Sequence, residues 1–288
     1  KKYLLFRITS RLYEDFYCRG EPMHTFEGIP VRQIPYGFNS FVKTLSRHNL
    51  GDGCIQNGWN VISMNSERVI VKRNGLHLYL KPTDCLSLSM KNRKISLGMD
   101  VSIRLPKELL EISPGFYMVF GNKPLDTEKG EILRLYWNIT SYGAATLIRY
   151  TTLILNKLEI PFNLKTLNNP NRYSRRVDTA VLYIRKSDYE IVSKHIEWIY
   201  SKVIIYLNQQ TPVFTKKLAK GLGLAEDPCK KDSFGQHRCK ILADGIISAY
   251  ERDEKDISEQ IEIVVARFKK EGINIEKPFL NPKSLDNY

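Results

Sequence analysis

Apolar residues open the chain at helical spacing: Leu4, Leu5, Ile8, Leu12 and Phe16 fall along one stripe of a 3.6-residue period. Phe38, Phe41, Val42 and Leu45 predict a second short helix, ended by the glycines of "NLGDG" (Asn49–Gly53). Between Ile55 and Leu105 the period falls to two. The runs "WNVISMN", "RVIVKR" and "LHLYLKP" are short and β-rich, with Asn65–Ser66 and Asn74–Gly75 as punctuation; "NG" is a strong hairpin signal. Together with "ISLGMDVSIRLP" they predict a small antiparallel sheet or partial barrel.

From about Leu110 both periods occur. "GFYMVFG" and "ILRLYWNIT" read as strands, a helix follows through Gly143–Leu158, and Ile160–Leu167 and Val177–Ile184 read as two further strands. Ser187 and Glu190 have the spacing of a capping box, opening a helix whose apolar stripe is Val192, Ile196, Ile199 and Val203. "ILADGIISAYERD" and "ISEQIEIVVARFKKEG" predict two more helices, the second closed by Gly272. The expected fold class is α+β. It comprises an N-terminal helical segment (1–50), a small antiparallel β subdomain (51–109) and a larger mixed core domain (110–288) carrying the candidate site.

Composition alters this picture in one respect. A hydrophobic content of 42% and a charged content of 26% are ordinary for a globular protein, and no long uncharged apolar run predicts a transmembrane helix. Forty-four Lys and Arg against 31 Asp and Glu leave a net charge of +13, which points to an anionic partner. The opening "KKYLLFRITSRLYEDFY" lacks the layout of a secretory signal, and the cysteines (Cys18, Cys54, Cys85, Cys229, Cys239) are odd in number and far apart. A cytoplasmic location without a disulfide framework is the expectation.

Two cationic stretches carry the candidate chemistry. "LKTLNNPNRYSRR" leaves a strand with Lys165, turns at Asn-Asn-Pro, and presents Arg172, Tyr173, Arg175 and Arg176. The arginine fork matches phosphate or carboxylate oxygens in pairs, so this turn suits one phosphate; a solvated basic turn is the plain alternative. "FTKKLAKGLGLAEDP" sets Lys216, Lys217 and Lys220 around Gly221 and Gly223, the composition of a flexible loop whose freed N–H groups form an anion-binding nest. It has no Walker pattern. Beyond it, "DSFGQHRCK" places His237 between Gln236 and Arg238, a polar, cationic setting for a proton carrier. Cys229, His237 and Cys239 have the spacing of no familiar zinc module, so neither a metal nor a cofactor is expected. His24, His48, His77 and His195 are isolated and read as structural.

The segments "SPGFYMVFG", "RLYWNIT", "PFNLKTLNNPNRYSRRVDTAVLYIRKSDY", "TPVFTKKLAKGLGLAEDP" and "SFGQHRCKILADGI", in that order, resemble the HopA-class type III effector-like family over roughly residues 110–250. The opening "LYEDFYCRGEP" also resembles its cyanobacterial branch. The resemblance implies a lyase of lanthipeptide or thioamide-peptide biosynthesis. Such an enzyme, beside a separate kinase-like protein, eliminates phosphate from phosphoserine or phosphothreonine of a precursor peptide to leave dehydroamino acids.

Residue chemistry then suggests the roles. Elimination needs a base for the α-proton, a cationic clamp for the phosphate, and an acid for the leaving oxygen. Lys165 is the candidate base and His237 the candidate acid. Arg172, Tyr173, Arg175, Arg176, Lys216, Lys217, Gln236 and Arg238 are the candidate phosphate and substrate contacts, with Asp178 and Glu226 as orienting carboxylates. The alternative is a non-catalytic effector-like protein whose basic face binds an acidic partner or nucleic acid; no nucleic-acid motif favours the latter.

Overall fold

The computed structural model describes residues 1–20, 38–87, 95–110, 113, 115–126, 130–228 and 232–288; His24 and Cys229 lie outside them. Helix α1 (Lys2–Arg11) runs on as a π-helical turn over Leu12–Tyr17, and α2 (Phe38–His48) follows. Tyr17, Cys18, Phe41, Val42 and Leu45 are buried in the main core rather than in one of their own.

Strands β1 (Cys54–Met64), β2 (Val69–Arg73), β3 (Leu76–Leu80), β4 (Cys85–Ser87) and β5 (Asp100–Leu105) form the small antiparallel sheet in the order β3-β2-β1-β5-β4. The "NG" hairpin forms because Asn74 (φ 51°) and Gly75 (φ 80°) both take the left-handed conformation that a tight turn between twisted strands requires. Trp59, Val61, Val69, Val71, Val101 and Ile103 alternate inward and build a separate small core.

The larger unit contains β6 (Glu108–Leu109), β7 (Phe116–Phe120), β8 (Ile132–Trp137), α3 (Ser141–Lys157), β9 (Phe162–Leu167), β10 (Ala180–Arg185), α4 (Tyr189–Val203), β11 (Lys216–Ala219), β12 (Leu222–Glu226), α5 (Phe234–Glu251) and α6 (Ile257–Lys270). Its seven strands are ordered β11-β12-β8-β10-β9-β7-β6 and pair antiparallel. One face presents Leu133, Leu135, Trp137, Leu182, Ile184, Phe162, Leu164 and Val119 to the core that α3 and α4 share. The α4 stripe of Val192, Ile196, Ile199 and Val203 is buried there.

Three local expectations change. The Ser187–Glu190 box does not form; α4 starts after a short 3₁₀ turn, and its N-cap Asp188 instead binds Arg185 through both carboxylate oxygens. The capping box belongs to α5, where Ser233 and Gln236 bind each other's backbone N–H. "DSFGQHRCK" is therefore the first turns of a helix, not a loop end. "FTKKLAKGLGLAE" is likewise no loop or nest: its lysines lie on or beside a β-hairpin whose turn places Gly221 at φ 65°. No helix among the described residues is long and apolar enough to cross a membrane.

Candidate functional site

The second face of the seven-stranded sheet mixes apolar residues with Lys165, Arg134, Tyr183 and Asn163, and strand register shows why. Directly paired residues share a face, so Gly223, Tyr136, Val181, Lys165 and Met118 form one row across five strands, and Ala225, Arg134, Tyr183 and Asn163 form the next. The first turn of α5 and the π-helical turn cover one end of this face, where Phe234 meets both Tyr136 and Tyr17. Toward β9, Lys165, Asn163, Tyr183 and Phe116 remain half-buried.

Here cations and aromatic rings alternate. The Arg176 guanidinium lies 5.8 Å from the ring centroids of Tyr13 and Phe116; the Lys165 ammonium lies 4.6 Å from Phe116 and 5.7 Å from Tyr183; the Arg134 guanidinium lies 5.2 Å from Tyr183. The two ends are neutralised. Arg176 donates from Nε and Nη2 to the two oxygens of Asp178 at 2.8 and 2.7 Å, and Nη2 also reaches the Tyr13 hydroxyl at 3.2 Å. Arg134 donates from Nε to Asp227 at 2.7 Å, with Nη2 at 2.5 Å from the same oxygen. Among the described residues Lys165 has no ion pair; rings alone hold it.

Electrostatics follow from burial and partners. Burial opposes the Arg176 charge, but the hydrogen bonds and charge of Asp178 more than compensate, holding the guanidinium above its ordinary pKa. Burial also opposes the Arg134 charge, and Tyr136, Tyr183 and Asp227 together raise it. Burial, with Asp178 adding to it, pushes the Tyr13 phenol well above its ordinary range, so this ring stays neutral.

The structure gathers one of the two cationic stretches here and disperses the other. The 3₁₀ turn Pro170–Arg175 carries Arg172 and Arg175, both exposed, to the Phe116 end. Arg172 lies across Gly115, where any side chain would collide with its Nη1. Tyr173 is a core residue: its hydroxyl donates to the Leu167 carbonyl at 2.7 Å and its ring meets Phe41 edge-on. Lys217 shares the row of Lys165 but stands four strand spacings away, roughly 19 Å, too far for one phosphate.

The remaining candidates serve the C-terminal segment. Arg238 is 0% exposed, with Nε donating to the Pro278 carbonyl, Nη2 to the Leu280 carbonyl, and Nη1 to His237 Nδ1 at 2.7 Å. A guanidinium committed in this way is not a phosphate clamp; burial draws its pKa down to about 10. Lys216 donates to Asp286 and to the Tyr288 carbonyl, each at 2.6 Å. Gln236 is held by the capping box. Glu226, 1% exposed, accepts from Lys186 Nζ, the Tyr288 hydroxyl and the Asn281 N–H. His237 is buried on α5, where its Nδ1 accepts from Arg238 Nη1.

Arg134, Asp227, Tyr13, Phe116 and Tyr183 complete this candidate cluster, and the sequence signals only one of them, Arg134, a cation inside the otherwise apolar strand run "ILRLYW".

The sequence model of the HopA1 effector protein family matches residues 109–280, more than half of the chain. The chain belongs to this family. The solved structure of an effector protein from Pseudomonas syringae pv. tomato strain DC3000 is similar over 98% of this chain and 97% of that one, with a TM-score of 0.52 at 15% identity. The effector from Pseudomonas syringae pv. syringae strain 61 follows at 0.49 and 14% identity, over 95% and 89%. The first likeness establishes a shared fold that extends beyond the family match into the N-terminal helices and small sheet. No curated protein matches the sequence.

Proposed function

We propose that the protein is a phosphate-eliminating lyase acting on phosphoserine or phosphothreonine of a precursor peptide. The observation that supports this is Lys165: a half-buried amine set on two rings, between two arginines already neutralised by aspartates. A phosphoryl group brings about −1.5 to −2 charge and three acceptor oxygens. It finds cations without an ion pair among the described residues in the exposed Arg172 and Arg175, while Asp178 and Asp227 keep the flanking guanidiniums fixed.

In this reading the Lys165 amine takes the α-proton, and the C–H electron pair becomes the Cα–Cβ double bond. The Cβ–O bond breaks with its electrons on phosphate, and the leaving oxygen takes one proton. His237 is the assigned donor, buried at the start of α5 with its Nδ1 accepting from Arg238. No cofactor takes part. Mass spectrometry of a matched phosphopeptide tests the reading, since loss of phosphoric acid must accompany turnover. Tight phosphopeptide binding without that loss would leave the second reading, a docking protein, favoured by the exposed Arg172, Arg175 and Lys217.

A further inference from the structure

Among the described residues the small sheet ends in a strand paired on one side only. β3 pairs with β2 along its whole length without a bulge and has no described neighbour on its other side. Edge strands of natural proteins are commonly shortened, kinked, covered or given Lys, Pro or an inward charge, because their free N–H and C=O groups invite another chain. β3 is straight-registered, "LHLYL" itself holds no proline, no Lys and no inward charge, its flanking Lys81 leaves the ladder open to a chain of opposite charge, and Tyr79 at its outer face is 70% exposed.

Charge selects the visitor. Lys72 pairs with His77, and Ile70 with Tyr79, so these side chains share the outer face, with Lys81 two residues beyond Tyr79 and Arg68 two before Ile70 on the same alternation. Among the described residues, none of Arg68, Lys72, His77 and Lys81 takes part in an ion pair. In the row His77–Lys72–Asn60–Asp100 the carboxylate stands three strand spacings from the edge, roughly 14 Å. We propose that β3 docks an extended acidic peptide segment as a sixth strand, the backbone ladder giving affinity and the cations selecting carboxylates. A second copy of the chain is disfavoured because edge-to-edge pairing would bring two of these cationic clusters together. A nucleic acid cannot continue the backbone ladder. The proposal is independent of the lyase reading.

Hydrogen exchange with an acetylated, amidated octapeptide of alternating Thr and Glu tests it. Slowed exchange in residues 76–80, unchanged in 100–105, is expected, and the Thr-Lys counterpart should have no effect. Lys72→Glu with Lys81→Glu should weaken binding by roughly tenfold. Both positions are exposed, so the fold should persist in thermal melts, and Tyr79→Ala provides a second variant that leaves the charges in place and should also weaken binding. Three results overturn the proposal: no slowing with the Thr-Glu peptide, slowing that grows with protein concentration alone, or displacement of the peptide by an oligothymidylate of equal charge.

Discussion

Phe116 carries two cations on one ring: the Lys165 ammonium at 4.6 Å and the Arg176 guanidinium at 5.8 Å from its centroid. Such contacts contribute about 0.5–2 kcal/mol each, enough to fix the Lys165 side chain without a carboxylate beside it, whereas Arg176 is held by Asp178 as well. The aromatic platform thus orders the cations and leaves the Lys165 amine without a carboxylate partner among the described residues.

Lys165→Met should keep the apolar stem on Phe116 and Tyr183 yet lower turnover by about 10²–10⁴-fold. Lys165→Arg should fail to rescue it, since a guanidinium stays charged and accepts no proton. Single-turnover mass spectrometry separates this from weaker binding, and full activity in both variants would remove Lys165 from the mechanism.

Arg175 and Arg176 are neighbours with opposite expectations. Arg175→Ala removes an exposed cation and should weaken phosphopeptide binding with little change in melting temperature. Arg176→Ala leaves the buried Asp178 carboxylate unpaired and should cost about 3–5 kcal/mol of stability. Isothermal titration and urea unfolding of the two variants measure both effects.

Acid should loosen the C-terminal segment through Glu226. Burial raises the pKa of this carboxyl, but Lys186, Tyr288, Asn281 and Ser284 outweigh it, so the folded value lies below the ordinary 4.5. The stability it contributes is fully present above 4.5 and is lost as pH falls through the lower folded value. Glu226→Gln should therefore flatten the acid limb of a melting-temperature profile; an unchanged limb would assign acid sensitivity elsewhere.

Gly235 sits where α5 touches the π-helical turn, and any side chain there would run into the Tyr17 ring. Gly235→Ala should cost roughly 1–3 kcal/mol by forcing the two elements apart. Because Tyr13 and Tyr17 stack at 5.4 Å on the same turn, the variant should also loosen Tyr13 from Arg176. Calorimetry gives the first effect and phosphopeptide affinity the second.

Period-two alternation made the strands legible, and "NG" made the β2–β3 turn legible, because both signals are local. The capping box went to Ser187 instead of Ser233 because spacing alone does not distinguish them; Asp188 binding Arg185 decides it. The site was half legible. Lys165 and Arg176 lie in one cationic stretch, but the rings between them come from Tyr13, Phe116 and Tyr183, brought together only by strand order and the N-terminal turn. Arg238 looked like a phosphate ligand because sequence shows its charge and conceals the carbonyls of Pro278 and Leu280 that take its hydrogen bonds.

Those carbonyls have a consequence for the order of events during synthesis. Arg238 and Glu226 lie in the core, yet much of their hydrogen bonding is supplied by residues 278–288. Until that segment has left the ribosome, Arg238 lacks its two carbonyl acceptors and Glu226 keeps Lys186 but not Asn281 or Tyr288, so strand β12 with the start of α5 cannot settle. The large sheet should therefore close only after translation has passed Tyr288, with the small sheet already folded on its own core.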